Sequence, residues 1–245
     1  GDTAGSIRIP AALNGVVGYR SSCRRYSRDG VFPLAHTLDS LGPLTRSVRD
    51  ALAIDDLLNG RDQSPPRQPR SLNGQRFWVE QSVLEDARVE PAVRDNLQRC
   101  VDRLKADGAL IDVRPSKTFQ ATLDLIQHQG WLGAFEAFAL HEALRRRLQQ
   151  QLVDELDGAI LITPTVAHVA PALAPLESDF ELFVSTNLAT LRLTMPGSLL
   201  DMPGVSLPSG RDALGLPTGL LLSAPSGEDA RLLRAALSVE TALIF

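Results

Sequence analysis

Residues 1–10 read Gly1-Asp2-Thr3-Ala4-Gly5-Ser6-Ile7-Arg8-Ile9-Pro10, a run of small residues that carries one serine and ends in proline. The small side chains at positions 3–6 predict a tight turn, which can direct several successive backbone N–H groups into one concavity. Such a concavity stabilises the oxyanion that develops during acyl transfer. We therefore interpret Ser6 as a candidate nucleophile, although small residues followed by a serine also occur in ordinary loops.

A longer ordered pattern continues from this run. It comprises Asp2-Thr3-Ala4-Gly5-Ser6-Ile7-Arg8-Ile9-Pro10-Ala11-Ala12, then Gly15-Val16-Val17-Gly18-Tyr19, then Leu38-Asp39-Ser40-Leu41-Gly42-Pro43-Leu44-Thr45-Arg46-Ser47-Val48. Together these segments resemble the C-terminal part of the amidase signature, a pattern of dozens of ordered positions. The rest of the chain to Val239 is similar to the same family, most weakly in its middle.

The resemblance to the amidase signature family implies hydrolysis or transfer of an amide C–N bond by a Ser–cis-Ser–Lys triad. By its position in the motif, Ser6 is the serine that becomes acylated. The resemblance further implies that Asp2 and Arg8 brace the turn by hydrogen bonds. Most members have glycine where this chain has Ala4, so we expect Ala4 to adopt a negative φ, at which alanine is not strained. The oxyanion hole would be formed by the backbone N–H groups of Thr3, Ala4, Gly5 and Ser6.

Length and composition describe a soluble globular protein with one sizeable core. The 245 residues are 44% hydrophobic and carry a net charge of −4. Basic residues are spread along the chain, so we expect no nucleic-acid partner. No apolar run approaches the roughly 20 residues of a membrane span, so we expect a cytoplasmic protein with no membrane partner.

Cysteine and histidine spacing indicates neither a disulfide framework nor a metal site. Cys23 and Cys100 are far apart in sequence, and both are expected to be reduced thiols. The four histidines show no i, i+4 pair and share no ligand motif. We therefore expect no metal and no cofactor.

The order strand, helix, strand over residues 74–113 predicts a parallel strand pair crossed by a helix. We expect an α/β fold with a mixed, largely parallel β-sheet core flanked by α-helices, as in the amidase signature family. Residues 1–245 should form a single amidase-like domain, with a signature segment at 1–60, a proline-rich linker at 61–73 and the remainder at 74–245. The chain opens at Gly1, without methionine and inside the predicted catalytic loop, so we expect the N-terminal part of the fold to be missing.

A serine nucleophile requires a base, and the resemblance places the family's lysine and second serine before Gly1. This chain has two lysines, Lys105 and Lys117. Neither matches the family's catalytic lysine, and both are predicted to be surface charges. His36, near the signature, and His168, after a predicted strand at 159–164, stay as alternative bases. The loop residues Thr165, His168 and Asp201 are candidate pocket residues, without an assigned catalytic role.

Three functions follow as hypotheses. The leading one is hydrolysis of a small-molecule amide through an acyl-enzyme on Ser6. The second is the amidase subunit of a glutamine-dependent amidotransferase, and the third is a catalytically dead fragment that lacks the lysine and the second serine. A homodimer is a possible assembly of this chain.

The family usually carries a longer helical segment near residues 144–147 than this chain does, so we expect the substrate cleft to be more open on that side.

Overall fold

The computed structural model of the chain describes residues 1–61, 65–129 and 138–243. These residues alternate between helices and strands, as an α/β fold requires. The strands are β1 Val17–Arg20, β2 Leu44–Thr45, β3 Arg76–Glu80, β4 Leu110–Arg114, β5 Ile160–Pro164, β6 Gly204–Arg211 and β7 Pro217–Ser223. The helices are α1 Arg8–Asn14, α2 Val48–Leu58, α3 Gln81–Leu84, α4 Pro91–Ala106, α5 Lys117–Gln129, α6 Phe138–Leu156, α7 Leu173–Ser178, α8 Phe180–Leu191, α9 Met195–Leu199 and α10 Asp229–Leu243.

The strands form one mixed seven-stranded sheet in the order β2-β1-β6-β7-β5-β3-β4, which confirms the mixed α/β fold. Parallel pairing joins β3 to β4 and β3 to β5, with α4 as the crossover helix between β3 and β4. The other four pairs are antiparallel. The parallel part is thus a smaller share of the sheet than the sequence led us to expect, because β6 and β7 form a hairpin and each of them also pairs antiparallel with a strand distant in sequence, β1 and β5 respectively.

Alternating side chains of the strands pack against helices on both faces of the sheet. Phe77 and Val79 belong to the core cluster that also contains residues of α2, α4 and α10. Trp78, between them, points to the opposite cluster, which contains residues of α6. Helix α1 covers the sheet over β1, β6 and β7, and this contact places the N-terminal turn at the edge of the packed core.

Helix α1 follows directly on the turn predicted at positions 3–6. Its start is fixed from outside the helix, because the Asp2 carboxylate accepts the backbone N–H groups of Ile7 and Arg8, at 3.2 and 3.4 Å. Pro10 is tolerated in the first turn, where its missing N–H would have had no intrahelical partner. The helix ends at Gly15, whose φ of +67° forms a left-handed cap.

Strands from both sides of the predicted linker join the same sheet, since β1 and β2 precede residues 61–73 and the other five strands follow them. The described part of the linker has no helix or strand. It is nevertheless attached to the fold, because Arg67 forms an ion pair with Asp56 and Leu72 is buried in the core. The sequence pattern over 131–156 is that of a helix; α6 begins at Phe138, and residues 131–137 lie outside the described part.

Candidate active site

Ser6 lies in the turn before α1 with its side chain exposed, whereas its neighbours at positions 2–5 and 7–9 are buried. The hydroxyl lines a cavity of about 660 Å³. The other walls of this cavity come from residues 1–3, 27–29, 31–34, 36 and 39–41. A serine that is exposed at the mouth of a cavity, on a turn that is otherwise buried, has the accessibility that a nucleophile needs.

The backbone N–H groups around Ser6 divide into two sets. Those of Ile7 and Arg8 donate to the Asp2 carboxylate. In contrast, the N–H groups at positions 3–6 have no acceptor among the described residues. Residues 3–5 are buried, and buried backbone N–H groups are paired in the great majority of cases. Successive N–H groups without a protein acceptor, next to the exposed Ser6, mark a place where a ligand oxygen could bind.

Gly5 is required at the centre of this turn. Its φ is +150°, and a Cβ added there would lie 2.4 Å from Thr194 Oγ1 and 2.5 Å from Ile9 Cδ1. Ala4 is different, because Asp157 and Asp201 are the only non-glycine residues with positive φ in the described part of the chain. The expectation that Ala4 has a negative φ is therefore confirmed, and alanine is unstrained at that position.

A buried ionic cluster lies beneath the turn. Asp2 and Arg8 are both fully buried, and the Asp2 carboxylate accepts from Arg8 Nε and Nη2, each at 3.0 Å. Arg20, also fully buried, brings its Nε to 3.7 Å from Asp2 Oδ1. Burial acts to raise the pKa of the Asp2 carboxyl, but the two guanidinium groups and the N–H of Ile7 outweigh it, so this pKa lies below its usual value. These contacts fit the bracing role expected of Asp2 and Arg8.

Two residues that the sequence did not single out complete the support of the turn. Arg8 donates to the carbonyl of Thr194 at 3.0 Å and to Ser198 Oγ at 2.7 Å. The Thr194 hydroxyl in turn donates to the carbonyl of Ala4 at 2.5 Å. Thr194 and Ala4 are 190 positions apart, so no local pattern could have joined them.

Asp39 fixes the wall of the cavity that faces the turn. One carboxylate oxygen accepts the Thr3 hydroxyl at 2.6 Å, and the other accepts the N–H groups of Leu34 and Ala35 at 2.8 and 2.9 Å. Burial acts to raise the pKa of Asp39, but the hydrogen bonds from Thr3 and the two N–H groups outweigh it and lower this pKa below its usual value. The backbone bridge between Asp2 and Ser40 holds the same wall to the turn.

The candidate bases are distributed unevenly around this cavity. Lys105 on α4 and Lys117 on α5 are exposed, and neither lines the cavity. His36 lines it and is exposed. His168 does not, because its ring nitrogens contact the carbonyl of Val169 and the hydroxyl of Thr190, at 2.8 and 2.9 Å.

The two other candidate pocket residues also lie outside the Ser6 cavity. Thr165 is fully buried, with its hydroxyl 2.8 Å from Ser206 Oγ. Asp201 accepts from the N–H of Cys23 and the hydroxyl of Ser226, at 2.8 and 2.6 Å. It lines a neighbouring cavity of about 740 Å³, which shares Arg28 and His36 with the Ser6 cavity.

The described residues contain no group of three or more His, Cys, Asp or Glu side chains arranged to hold a metal ion. Cys23 and Cys100 are free thiols, and Cys100 is buried on α4. No helix in the described ranges combines the length and the apolar character that crossing a bilayer requires.

Comparison with known proteins finds curated relatives that match nearly the whole chain. The chain is 29% identical to 2-amino-5-chloromuconic acid deaminase of Comamonas testosteroni, over 98% of the chain and 59% of that protein. It is 28% identical to mandelamide hydrolase of Pseudomonas putida, over 99% and 57%. It is also 29% identical to a subunit of the glutamyl-tRNA(Gln) amidotransferase of Thermus thermophilus, over 98% and 63%. The chain thus spans about three fifths of the length of these relatives.

These alignments extend over 275, 300 and 305 positions, more than the 245 residues of this chain. The relatives therefore carry residues that this chain lacks within the matched stretch. Helix α6 runs without a break through residues 144–147, where the sequence predicts the shortening.

The fold comparison gives the same result as the sequence. A solved structure described as an amidase superposes with a TM-score of 0.75 at 31% identity, over 99% of this chain and 62% of that one. A family model described as Amidase matches residues 1–155 and 132–233. The chain therefore belongs to the amidase signature family.

Proposed function

We propose that this protein cleaves the C–N bond of a small amide through an acyl-enzyme on Ser6. The observation that carries the proposal is the exposed Ser6 hydroxyl beside four successive N–H groups that have no acceptor among the described residues. Ser6 Oγ would attack the carbonyl carbon and form a tetrahedral oxyanion, which the N–H groups at positions 3–6 would bind. The amine would leave with a proton, and water would then release the acid and restore the serine.

The attack requires a group that takes the proton of Ser6. The family resemblance assigns this role to a lysine acting through a second serine, and both lysines of this chain are exposed and outside the Ser6 cavity. We therefore expect the 245-residue chain by itself to be inactive. His36, which lines the cavity, is the alternative base that the geometry leaves open.

A fluorophosphonate probe, which reacts with activated serines, tests the assignment. It would be applied to the protein encoded by the whole gene and to the 245-residue chain, and the labelled site would be mapped by peptide mass spectrometry. Ser6→Ala should abolish labelling. Ser27→Ala is the matched control, because Ser27 is exposed and lines the same cavity, and it should label like the unmodified protein. Labelling that persists in Ser6→Ala would refute the nucleophile.

The same probe decides between the proposed bases. His36→Gln should leave the labelling rate of the gene product unchanged if a lysine outside this chain is the base. Labelling and turnover by the 245-residue chain alone would contradict our expectation that its base is missing. In that case, loss of labelling in His36→Gln would identify the histidine.

The amidase subunit of an amidotransferase is the second candidate, favoured by the 29% identity to the amidotransferase subunit of Thermus thermophilus. Such a subunit makes the same acyl-enzyme but passes ammonia to a partner protein. Ammonia release from a panel of small amides, from ureides and from glutamine distinguishes the candidates. Turnover of small amides without a partner supports the hydrolase, whereas glutamine turnover that needs a partner supports the amidotransferase.

A further inference from the structure

The Thr194 side chain approaches the Ser6 turn from its buried side. Thr194 is fully buried just before α9, and its hydroxyl has a single proton to donate. Two carbonyl oxygens lie within reach, that of Ala4 at 2.5 Å and that of Leu191 at 3.0 Å. The Ala4 oxygen is the closer acceptor, so this contact fixes the direction of the Ala4 carbonyl.

The direction of one carbonyl determines the direction of the next N–H group. In a planar trans peptide, the C=O of one residue and the N–H of the following residue point to opposite sides. With the Ala4 carbonyl held against Thr194, the N–H of Gly5 points away from the buried side of the turn. This N–H has no acceptor in the described part of the chain.

The following peptide is held in a different way. The Gly5 carbonyl accepts the N–H of Ile9 at 2.8 Å, so α1 itself directs the N–H of Ser6 away from the helix. The Ser6 N–H is therefore set by local structure, whereas the Gly5 N–H depends on Thr194. A Cβ on Gly5 would lie 2.4 Å from the Thr194 hydroxyl, which shows how tightly the threonine fits behind this peptide.

We infer that Thr194 is a positioning residue, whose hydroxyl holds the Ala4 carbonyl so that the N–H of Gly5 faces the oxyanion that forms on attack by Ser6. This inference rests on the proposed function. Thr194 does not touch the substrate in this account, and it acts only through the Ala4–Gly5 peptide. Its segment is also tied to the turn by Arg8, which donates to the Thr194 carbonyl at 3.0 Å, so the hydroxyl is held in register with Ala4.

Kinetics of amide hydrolysis by the protein encoded by the whole gene provide the first test. Thr194→Val keeps the shape of the side chain and removes the hydroxyl, and it should lower kcat about 10²-fold with little change in KM, as loss of one oxyanion donor does. Thr194→Ser, which retains the hydroxyl, should restore kcat to within about threefold. Thr122→Val is the matched control, because Thr122 is also fully buried and donates to a backbone carbonyl, that of Thr118 at 2.7 Å.

Nuclear magnetic resonance gives a readout that does not depend on turnover. In Thr194→Val, the carbonyl ¹³C resonance of Ala4 and the amide resonance of Gly5 should both shift, while Thr122→Val should leave them in place. Unchanged Ala4 and Gly5 resonances in Thr194→Val would overturn the inference whether or not the protein is active. A folded Thr194→Val protein with kcat within threefold of the original would overturn it as well.

The two measurements also separate this inference from the proposed function. If the unmodified protein does not label at Ser6, the proposed function fails, and the resonances alone decide whether Thr194 orients the peptide. If Ser6→Ala abolishes turnover while Thr194→Val does not reduce it, the proposed function stands and the inference fails. A loss of kcat that Thr194→Ser does not rescue would indicate a packing role and would likewise overturn the inference.

Discussion

Replacing Asp2 by asparagine should destabilise the protein strongly. The carboxylate is fully buried and accepts two hydrogen bonds from Arg8, each at 3.0 Å, and its Oδ1 lies 3.7 Å from Arg20 Nε. Asp2→Asn keeps the shape of the side chain but removes the only carboxylate that these contacts provide to the two buried guanidinium groups. Removing one partner of a buried ion pair typically costs about 3–5 kcal/mol, because the remaining charge is left uncompensated.

This cost should also appear in the melting temperature. For a chain of this size, each kcal/mol shifts Tm by about 2–4 °C, so we expect a fall of about 6–20 °C. The difference in free energy of unfolding between the original protein and Asp2→Asn should shrink as the pH is lowered. Because the pKa of Asp2 is lowered on folding, its stabilisation is fully present above the ordinary carboxyl pKa of about 3.9 and is lost as pH falls through the folded value.

Equilibrium unfolding in urea, followed by circular dichroism at several pH values between about 2 and 8, measures both effects. Asp157→Asn is the matched control, because Asp157 forms an ion pair with Arg76 at 3.0 Å while its side chain is 77% exposed. This control should change the free energy of unfolding by less than about 1 kcal/mol. An Asp2→Asn protein within about 1 kcal/mol of the original at pH 7 would refute the reasoning.

Three further predictions concern the turn and its surroundings. Gly5→Ala should slow fluorophosphonate labelling of the active protein at least tenfold, because its Cβ would lie 2.4 Å from the buried Thr194 Oγ1. Gly30→Ala is the control, since Gly30 has a φ of +80° and no atom within 4 Å, and it should label normally. Equal labelling rates for the two variants would contradict this prediction. Asp39→Asn should lower the protection of the Leu34 and Ala35 N–H groups against hydrogen exchange, measured relative to the intrinsic exchange rate at the same pH. In the original protein this protection should fall as pH falls through the lowered pKa of Asp39. Unchanged protection would exclude the wall contact. Tyr19→Phe should lower the free energy of unfolding, measured by urea denaturation, by about 1.5–3 kcal/mol. The reason is that the Tyr19 hydroxyl donates to the buried Asp229 carboxylate at 2.6 Å. An unchanged free energy of unfolding would show that this hydrogen bond makes no net contribution to stability.

Local pattern was sufficient to predict the unit formed by β3, α4 and β4. Pro91 at the start of α4, the spacing of Val93, Leu97 and Val101, and the left-handed Gly108 after the helix all match the structure. A strand, a crossover helix and an adjacent strand typically form a parallel pair, and the register of β3 against β4 confirms it. Each of these signals lies within a few residues of the element that it determines.

The pairing of distant strands was not available from the same signals. Strand β6 pairs antiparallel with β1, and β7 pairs antiparallel with β5. The direction of β1 against β6 depends on how the chain travels through the 183 residues between them, 21–203, which apolar alternation does not record. The expectation of a largely parallel sheet generalised one crossover unit to the whole sheet.

Helix α1 shows the same limit on a smaller scale. Glycine and proline around Ser6 favour a loop, and they remain poor helix formers in isolation. The helix forms because Asp2 accepts the N–H groups of Ile7 and Arg8, and Asp2 can do so only when Arg8 and Arg20 stabilise its charge in the core. The local sequence contains the acceptor, but the burial that fixes its orientation comes from the tertiary fold.

Asp2 and Thr194 support the turn in different ways, and this difference can be measured. Asp2→Asn removes a buried charge from the core, so its effect on labelling of Ser6 should include a contribution from unfolded protein. Thr194→Val leaves the buried Ala4 carbonyl without its donor and should cost about 1–3 kcal/mol of stability, less than Asp2→Asn, yet it should slow labelling at temperatures where the protein is fully folded. Labelling measured against temperature therefore distinguishes the two. If cooling restores normal labelling to both variants, orientation of the Gly5 N–H has no separate effect, and the support from Thr194 is structural alone.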